Sequence, residues 1–213
     1  MDISNYLKIK NKIPSNVNLL AVSKGFKSQE IKIINNLGQK DFGESKFQEC
    51  FEKQIFLQEL KEIKWHFIGR IQSNKIRKIV QNFEYIHSVD SYKKLEKISK
   101  IASEEMKNPF ILLQVKLSDD PTKAGFDPEL LIEKWIQIKE FKNINIIGLM
   151  TINPKGLSSQ ENTDLFRKCR SLADSLKLAD CSMGMSGDWE EAIVAGSTWI
   201  RLGSLIFGDR TTY

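Results

Sequence analysis

Cysteine and histidine are scarce in this chain, and the scarcity removes two classes of protein at the outset. The three cysteines, Cys50, Cys169 and Cys181, are odd in number and far apart, so they suggest neither a disulfide framework nor a zinc site. They read as buried thiols. The two histidines, His66 and His87, show no metal-ligand spacing and read as packed or hydrogen-bonded interior residues. No apolar run is long enough to cross a bilayer, and the amino-terminal MDISNYLKIKNK lacks the apolar centre of a signal peptide. The expectation is a cytoplasmic protein with no membrane partner. Internal repeats, low-complexity tracts and interdomain linkers are absent too. The net charge of +5 arises from 32 basic and 27 acidic residues spread along the chain. Without basic blocks this describes a solvated surface with a general attraction for anions. The basic helix start Arg70–Lys78 lacks interleaved aromatics, so no nucleic-acid partner is expected.

What the chain does contain is alternation. Its 213 residues, 41% hydrophobic and 28% charged, suffice for one large core. Apolar strand patterns fall at Leu19–Lys24, Asp41–Ser45, Trp65–Gly69, Tyr85–Asp90, Phe110–Leu117, Ile144–Ile152, Cys181–Ser186 and Trp199–Phe207. Amphipathic helical patterns separate them. The first helix spans Asp2–Lys12 and covers the body. One carries Phe47, Phe51 and Ile55 at fourfold spacing, an aromatic side expected to lie on the sheet. Ser28, Ser73 and Asp127-Pro128 are placed as helix starts. A loop with Pro121 and Gly125 follows the fifth strand. About eight strands, each followed by a helix, make a (β/α)8 barrel of TIM type, in one domain over residues 1–213.

In such a barrel the chemistry sits at the carboxyl ends of the strands. Lys24 ends the first strand, LLAVSK. By itself it reads as a solvated side chain lying its stem over apolar neighbours. The glycine-containing turns Met183–Gly187 and Arg201–Ser204 end the seventh and eighth strands, a frequent phosphate position in barrels. Either turn alone is also explained by tight strand-to-helix geometry; together, with the hydroxyls of Ser186 and Ser204, they favour phosphate. Arg201 is a guanidinium inside a strand pattern and needs an acceptor. An ion pair with Glu44 is one possibility. Asp41 and Glu44 would form an acid/base pair only if a substrate brought them together.

Several motifs carry a resemblance: LLAVSK, DFGE from Asp41, WHFIGRIQSNK from Trp65, HSVDS from His87, KAGF from Lys123, GLMTI from Gly148, SMGMSGDWEEAIVAGST from Ser182 and IRLGSLIFGDR from Ile200. In this order they are similar to the YggS/PROSC family of pyridoxal 5′-phosphate homeostasis proteins, related to the barrel domain of alanine racemase. The resemblance implies pyridoxal phosphate (PLP) held as a Schiff base on Lys24. It implies phosphate contacts at Ser186, Gly203 and Ser204, and Arg201 facing the pyridine nitrogen. A lysine among apolar strand ends is desolvated, which favours its neutral, nucleophilic form. Arginine would donate a hydrogen bond to the ring without protonating it, leaving a weaker electron sink. Three positions depart from the family pattern: Gly25 stands where threonine is usual, Ser45 where asparagine is usual, and Lys116 where asparagine is usual.

The function so implied is a monomeric PLP carrier with little or no turnover, its recipients being apo PLP-dependent enzymes. A PLP-dependent amino-acid racemase is the alternative. Racemases of this kind take their second base from a further β-domain of a partner subunit. A chain ending at Tyr213, just past the last strand, is expected to have no room for it. A sugar-phosphate aldolase using Lys24 and a nucleic-acid-binding module rank lower.

Overall fold

The computed structural model describes residues 3–120 and 123–208. The expected features at Asp2, Pro121, Asp209, Arg210 and Tyr213 lie outside the described residues. Eight parallel strands close into a barrel in simple sequence order: β1 (Asn18–Val22), β2 (Asp41–Glu44), β3 (Lys64–Phe67), β4 (Tyr85–Val89), β5 (Phe110–Gln114), β6 (Asn145–Met150), β7 (Asp180–Ser182) and β8 (Trp199–Leu202). The ring closes where β8 pairs with β1, with Leu20 opposite Arg201 and Ala21 opposite Leu202. The helices are α1 (Ile3–Lys12), α2 (Ser28–Asn36), α3 (Phe47–Phe56), α4 (Ile76–Asn82), α5 (Tyr92–Glu104), α6 (Pro128–Glu133), α7 (Trp135–Lys139), α8 (Ser159–Ser175), α9 (Trp189–Val194) and α10 (Ser204–Phe207). No helix among the described residues is long and apolar enough to cross a membrane.

Side chains alternate across each short strand. Leu19, Ala21, Ile111, Leu113, Leu149, Ile200 and Leu202 join the apolar layer shared with the helices, where Ile31, Ile34, Leu95, Ile98 and Phe166 are buried. The alternate positions Leu20, Leu112, Met150, Trp199 and Arg201 face the axis and are equally buried. The interior is tight: a Cβ on Gly43 would lie 3.2 Å from Leu20 Cγ and 3.3 Å from Ile68 Cδ1. All three cysteines are buried free thiols. Helix α1 buries Tyr6 and packs against α10, so the expected covering helix is in place.

Several boundaries differ from the sequence reading for physical reasons. WIRLGSLIF is not one strand: β8 stops at Leu202, Gly203 turns the chain, and Ser204–Phe207 is helical. The strand that starts at Phe110 ends at Gln114; Val115 still donates its N–H to Met150 O at 2.9 Å and forms an isolated bridge to Phe126. The strand pattern at Cys181–Ser186 ends at Ser182, since Gly184 adopts a left-handed φ of 91°. Asp127 caps α6 as expected, accepting from Glu129 N and Leu130 N, but the helix breaks at Lys134 before α7. Ser28 and Ser73 are not caps; Lys27 and Lys75 hold those positions.

The largest departure is α3. Phe51 and Ile55, expected against the sheet, are 44% and 54% exposed, whereas Cys50 and Lys53 are buried. Phe47, on the same face, packs against the core as expected, whereas the buried ion pair leaves Phe51 and Ile55 turned outward.

Replacing Asp127 by alanine removes a cap with two backbone partners. It should lower unfolding stability by about 1 kcal/mol in urea titration, without altering the fold by circular dichroism.

Candidate functional site

Lys24 follows β1 in a turn and is half-buried. The chain on either side of it is held by a buried polar cluster behind the barrel wall. The Ser23 hydroxyl donates to Glu44 Oε1 at 2.7 Å. Lys53 Nζ, on α3, donates to Ser23 O at 2.8 Å and to Glu44 Oε1 and Glu49 Oε1 at 2.7 Å each. Glu49 Oε1 also accepts from Gly25 N at 2.5 Å. One ammonium and two carboxylates therefore grip the residues before and after Lys24. Burial lifts the Glu44 carboxyl above the usual range against the attraction of Lys53. Burial also pushes Glu49 upward, but the hydrogen bonds from Lys53 and Gly25 N hold it below the usual range. Lys53 and Glu49 escaped the sequence reading because Lys53 resembles any helical surface lysine, and Glu44 is matched there to Arg201 instead.

On the neighbouring strand, Arg201 points into the barrel and is only 5% exposed. It does not meet Glu44. Its NH1 donates to Ser182 Oγ and its NH2 to Thr151 O, each at 2.9 Å. Burial pushes the guanidinium down to about 10, with Asp188 opposing the shift, so it stays cationic at neutral pH. Asp41 and Glu44, at opposite ends of β2, have separate partners: Asp41 Oδ1 lies 3.0 Å from His66 Nε2. They form no acid/base pair.

Beyond β8 and β7 the two serine turns converge. Ser204 Oγ donates to Ser186 Oγ at 3.2 Å, so residues 18 apart in sequence present their hydroxyls together. Ser204 opens α10, where the first N–H groups have no partner within the helix. Gly203 lies against β1, where an added Cβ would be 3.3 Å from Val22 O. Gly184 permits close packing on α9, since a Cβ there would lie 2.5 Å from that of Ala192. Met185 N donates to Asp188 Oδ1 at 2.6 Å, closing the turn. The structure thus gathers Ser186, Gly203 and Ser204 at one corner of the barrel mouth, next to the strand that leads to Lys24. Two hydroxyls and a helix start suit a phosphate-sized anion.

The family model for the alanine racemase N-terminal domain matches residues 3–211. The chain belongs to that family. Among its relatives, the pyridoxal phosphate homeostasis protein of Synechocystis sp. is 46% identical over 211 residues, covering 96% of this chain and 97% of that protein. The solved structure of PipY from Synechococcus elongatus with PLP bound superposes with a TM-score of 0.93 at 39% identity, covering 97% of this chain and 99% of that one. Alanine racemase of Clostridium difficile gives a TM-score of 0.77 at 14% identity over 98% of this chain and 56% of that one, a likeness of fold alone. The motif resemblance to PLP homeostasis proteins and the barrel it implied are borne out.

The departures from the family pattern acquire a physical setting. Gly25 has a left-handed φ of 79°, a conformation that disfavours threonine. Ser45 lines a groove with Phe47, Arg70 and Lys75. Lys116 lines a cleft with Asp119, Asp127 and Lys168.

Two outcomes are expected. Lys53→Met leaves Ser23 O and two carboxylates uncompensated and should cost about 3–5 kcal/mol in urea unfolding. The second concerns acid. Burial holds His66 below its usual range against the pull of Asp41, and holds His87 further below, aided by His66 and Arg201. Unfolding restores both to about 6.5. Below that pH the unfolded chain takes up protons that the folded one refuses, so stability present at higher pH is lost as pH falls. The urea midpoint should drop between about pH 7.5 and about pH 5.5, and less so in His87→Gln.

Proposed function

We propose that the protein binds PLP and carries it as a Schiff base on Lys24, serving PLP homeostasis with little or no catalytic turnover. Residues 1–213 act in this reading as one PLP-binding barrel domain. The observation that carries it is the meeting of Ser186 and Ser204 at 3.2 Å beside the β8–β1 seam, with Arg201 buried below and Lys24 at the end of β1. The residues fit the group. PLP supplies an aldehyde that condenses with a primary amine, a phosphate handle and an electron-withdrawing ring.

The chain's own groups divide the work. The hydroxyls of Ser186 and Ser204 donate to phosphate, joined by the N–H groups at the start of α10, while Gly203 leaves the approach clear. Lys24 supplies the amine. The Lys53–Glu49–Glu44 cluster fixes the backbone on both sides of it, which limits the positions that amine reaches. Arg201 would donate a hydrogen bond to the ring nitrogen and, keeping its own proton, would leave that nitrogen unprotonated. A ring left unprotonated withdraws electrons weakly, which disfavours carbanion chemistry and suits storage over turnover. That relatives matched over nearly their whole length are pyridoxal phosphate homeostasis proteins, and that PipY was solved with PLP bound, supports PLP binding and the homeostasis role. As a carrier, the protein acts as a monomer that yields PLP to apo PLP-dependent enzymes.

Borohydride reduction of the PLP-loaded protein, followed by peptide mapping, should place the label on Lys24, and Lys24→Ala should abolish it. Ser186→Ala with Ser204→Ala should weaken PLP binding by at least about tenfold, as expected for about 1.5–3 kcal/mol from charge-assisted hydrogen bonds. Protein that takes up no PLP overturns the reading.

A further inference from the structure

The barrel interior contains a polar line of which the carrier function above uses only the last member, Arg201. It starts at Asp41, at the amino end of β2, whose side chain is 21% exposed. Asp41 Oδ1 is 3.0 Å from His66 Nε2. His66 Nδ1 is 2.9 Å from His87 Nε2. His87 Nδ1 is 2.9 Å from Ser182 Oγ, and Ser182 Oγ is 2.9 Å from Arg201 NH1. The links come from β2, β3, β4, β7 and β8 in turn, and His66, His87 and Ser182 have no exposed surface. Aromatic packing holds the rings: His66 stacks on Tyr85 at 4.2 Å, and His87 meets Trp199 edge-on at 6.1 Å.

The geometry points to a directed relay in which Asp41, His66, His87 and Ser182 are positioning residues for Arg201, carrying the influence of the Asp41 charge from the opposite mouth of the barrel. The direction follows from donor and acceptor chemistry. A guanidinium only donates, so Ser182 Oγ accepts from Arg201 and its own proton is available to His87 Nδ1. His87, neutral, then carries its proton on Nε2 and gives it to His66 Nδ1. His66 likewise carries its proton on Nε2, facing Asp41, and an ionised carboxylate only accepts. Both ends impose the same order. Reversing the histidines would set a bare His66 nitrogen against the carboxylate.

Two properties follow for Arg201. Its NH1 and NH2 are each committed by one bond, so the guanidinium plane is fixed and its remaining N–H groups have set directions. Each link is also polarised toward Asp41, because hydrogen-bonded chains polarise one another in a low dielectric. The Asp41 charge thereby tempers the donor strength of Arg201 without contact. This inference rests on the PLP reading only where it concerns the ring held at Arg201; the proton order is a property of the protein alone.

The test has two arms. The chain has two histidines, so 15N NMR of the PLP-free protein, with single His66→Gln and His87→Gln variants for assignment, reads each imidazole separately. Protonated Nε2 and bare Nδ1 in both rings is the expected result; a proton on Nδ1 of either ring overturns the relay. In the second arm Asp41→Asn keeps an acceptor of the same shape and removes the charge. It should shift the visible absorption band of PLP-loaded protein while Lys24 still takes the borohydride label. An unshifted band overturns the transmitted effect, since a merely structural Asp41 would leave it in place. Failure of the wild-type protein to take up PLP would strike the carrier reading and leave the NMR arm decisive for the relay.

Discussion

The β8–β1 ladder is the pairing on which the rest depends. Before it forms, Lys24 and the Arg201–Ser204 turn are separated by almost the whole chain. Once Leu20 sits opposite Arg201 and Ala21 opposite Leu202, an amine, a guanidinium and a hydroxyl share one rim. A closed parallel barrel has no edge strand, so the register cannot slip at one seam without disturbing the others. The site is therefore as well defined as the barrel.

Two polar systems are built into this frame, on opposite sides of the barrel wall. Outside, between β2 and α3, Lys53 meets Ser23 O, Glu44 and Glu49. Inside, the histidines link Asp41 to Arg201. Both are buried, and burial makes partial satisfaction costly. The first system holds the backbone that bears the amine. The second holds the Arg201 cation inside the barrel.

The face of α3 shows how such a system reshapes its surroundings. An ammonium with three acceptors cannot turn to solvent without leaving buried carboxylates behind. Keeping Lys53 inward leaves Phe51 and Ile55 outward, against the usual preference of apolar residues. The loop after Lys24 is fixed by the same cluster, and the left-handed Gly25 belongs to that arrangement.

Much of this was legible in the residues. The order of strands and helices, the capping role of Asp127, the buried thiols and the convergence of the Ser186 and Ser204 turns follow from local chemistry repeated along the chain. Period, caps and glycine turns are properties of neighbours in sequence. The tertiary structure alone decided which groups share a proton or a charge. Arg201 needed an acceptor, but that it found Ser182 and Thr151, leaving Glu44 to Lys53, depends on which strand ends the closed barrel brings within 3 Å. His66 and His87 read as interior residues; their joining into a line from Asp41 to Arg201 required four inter-strand placements at once. Hydrogen bonds of this reach are set by distance across the barrel, and no spacing along the chain encodes that distance directly.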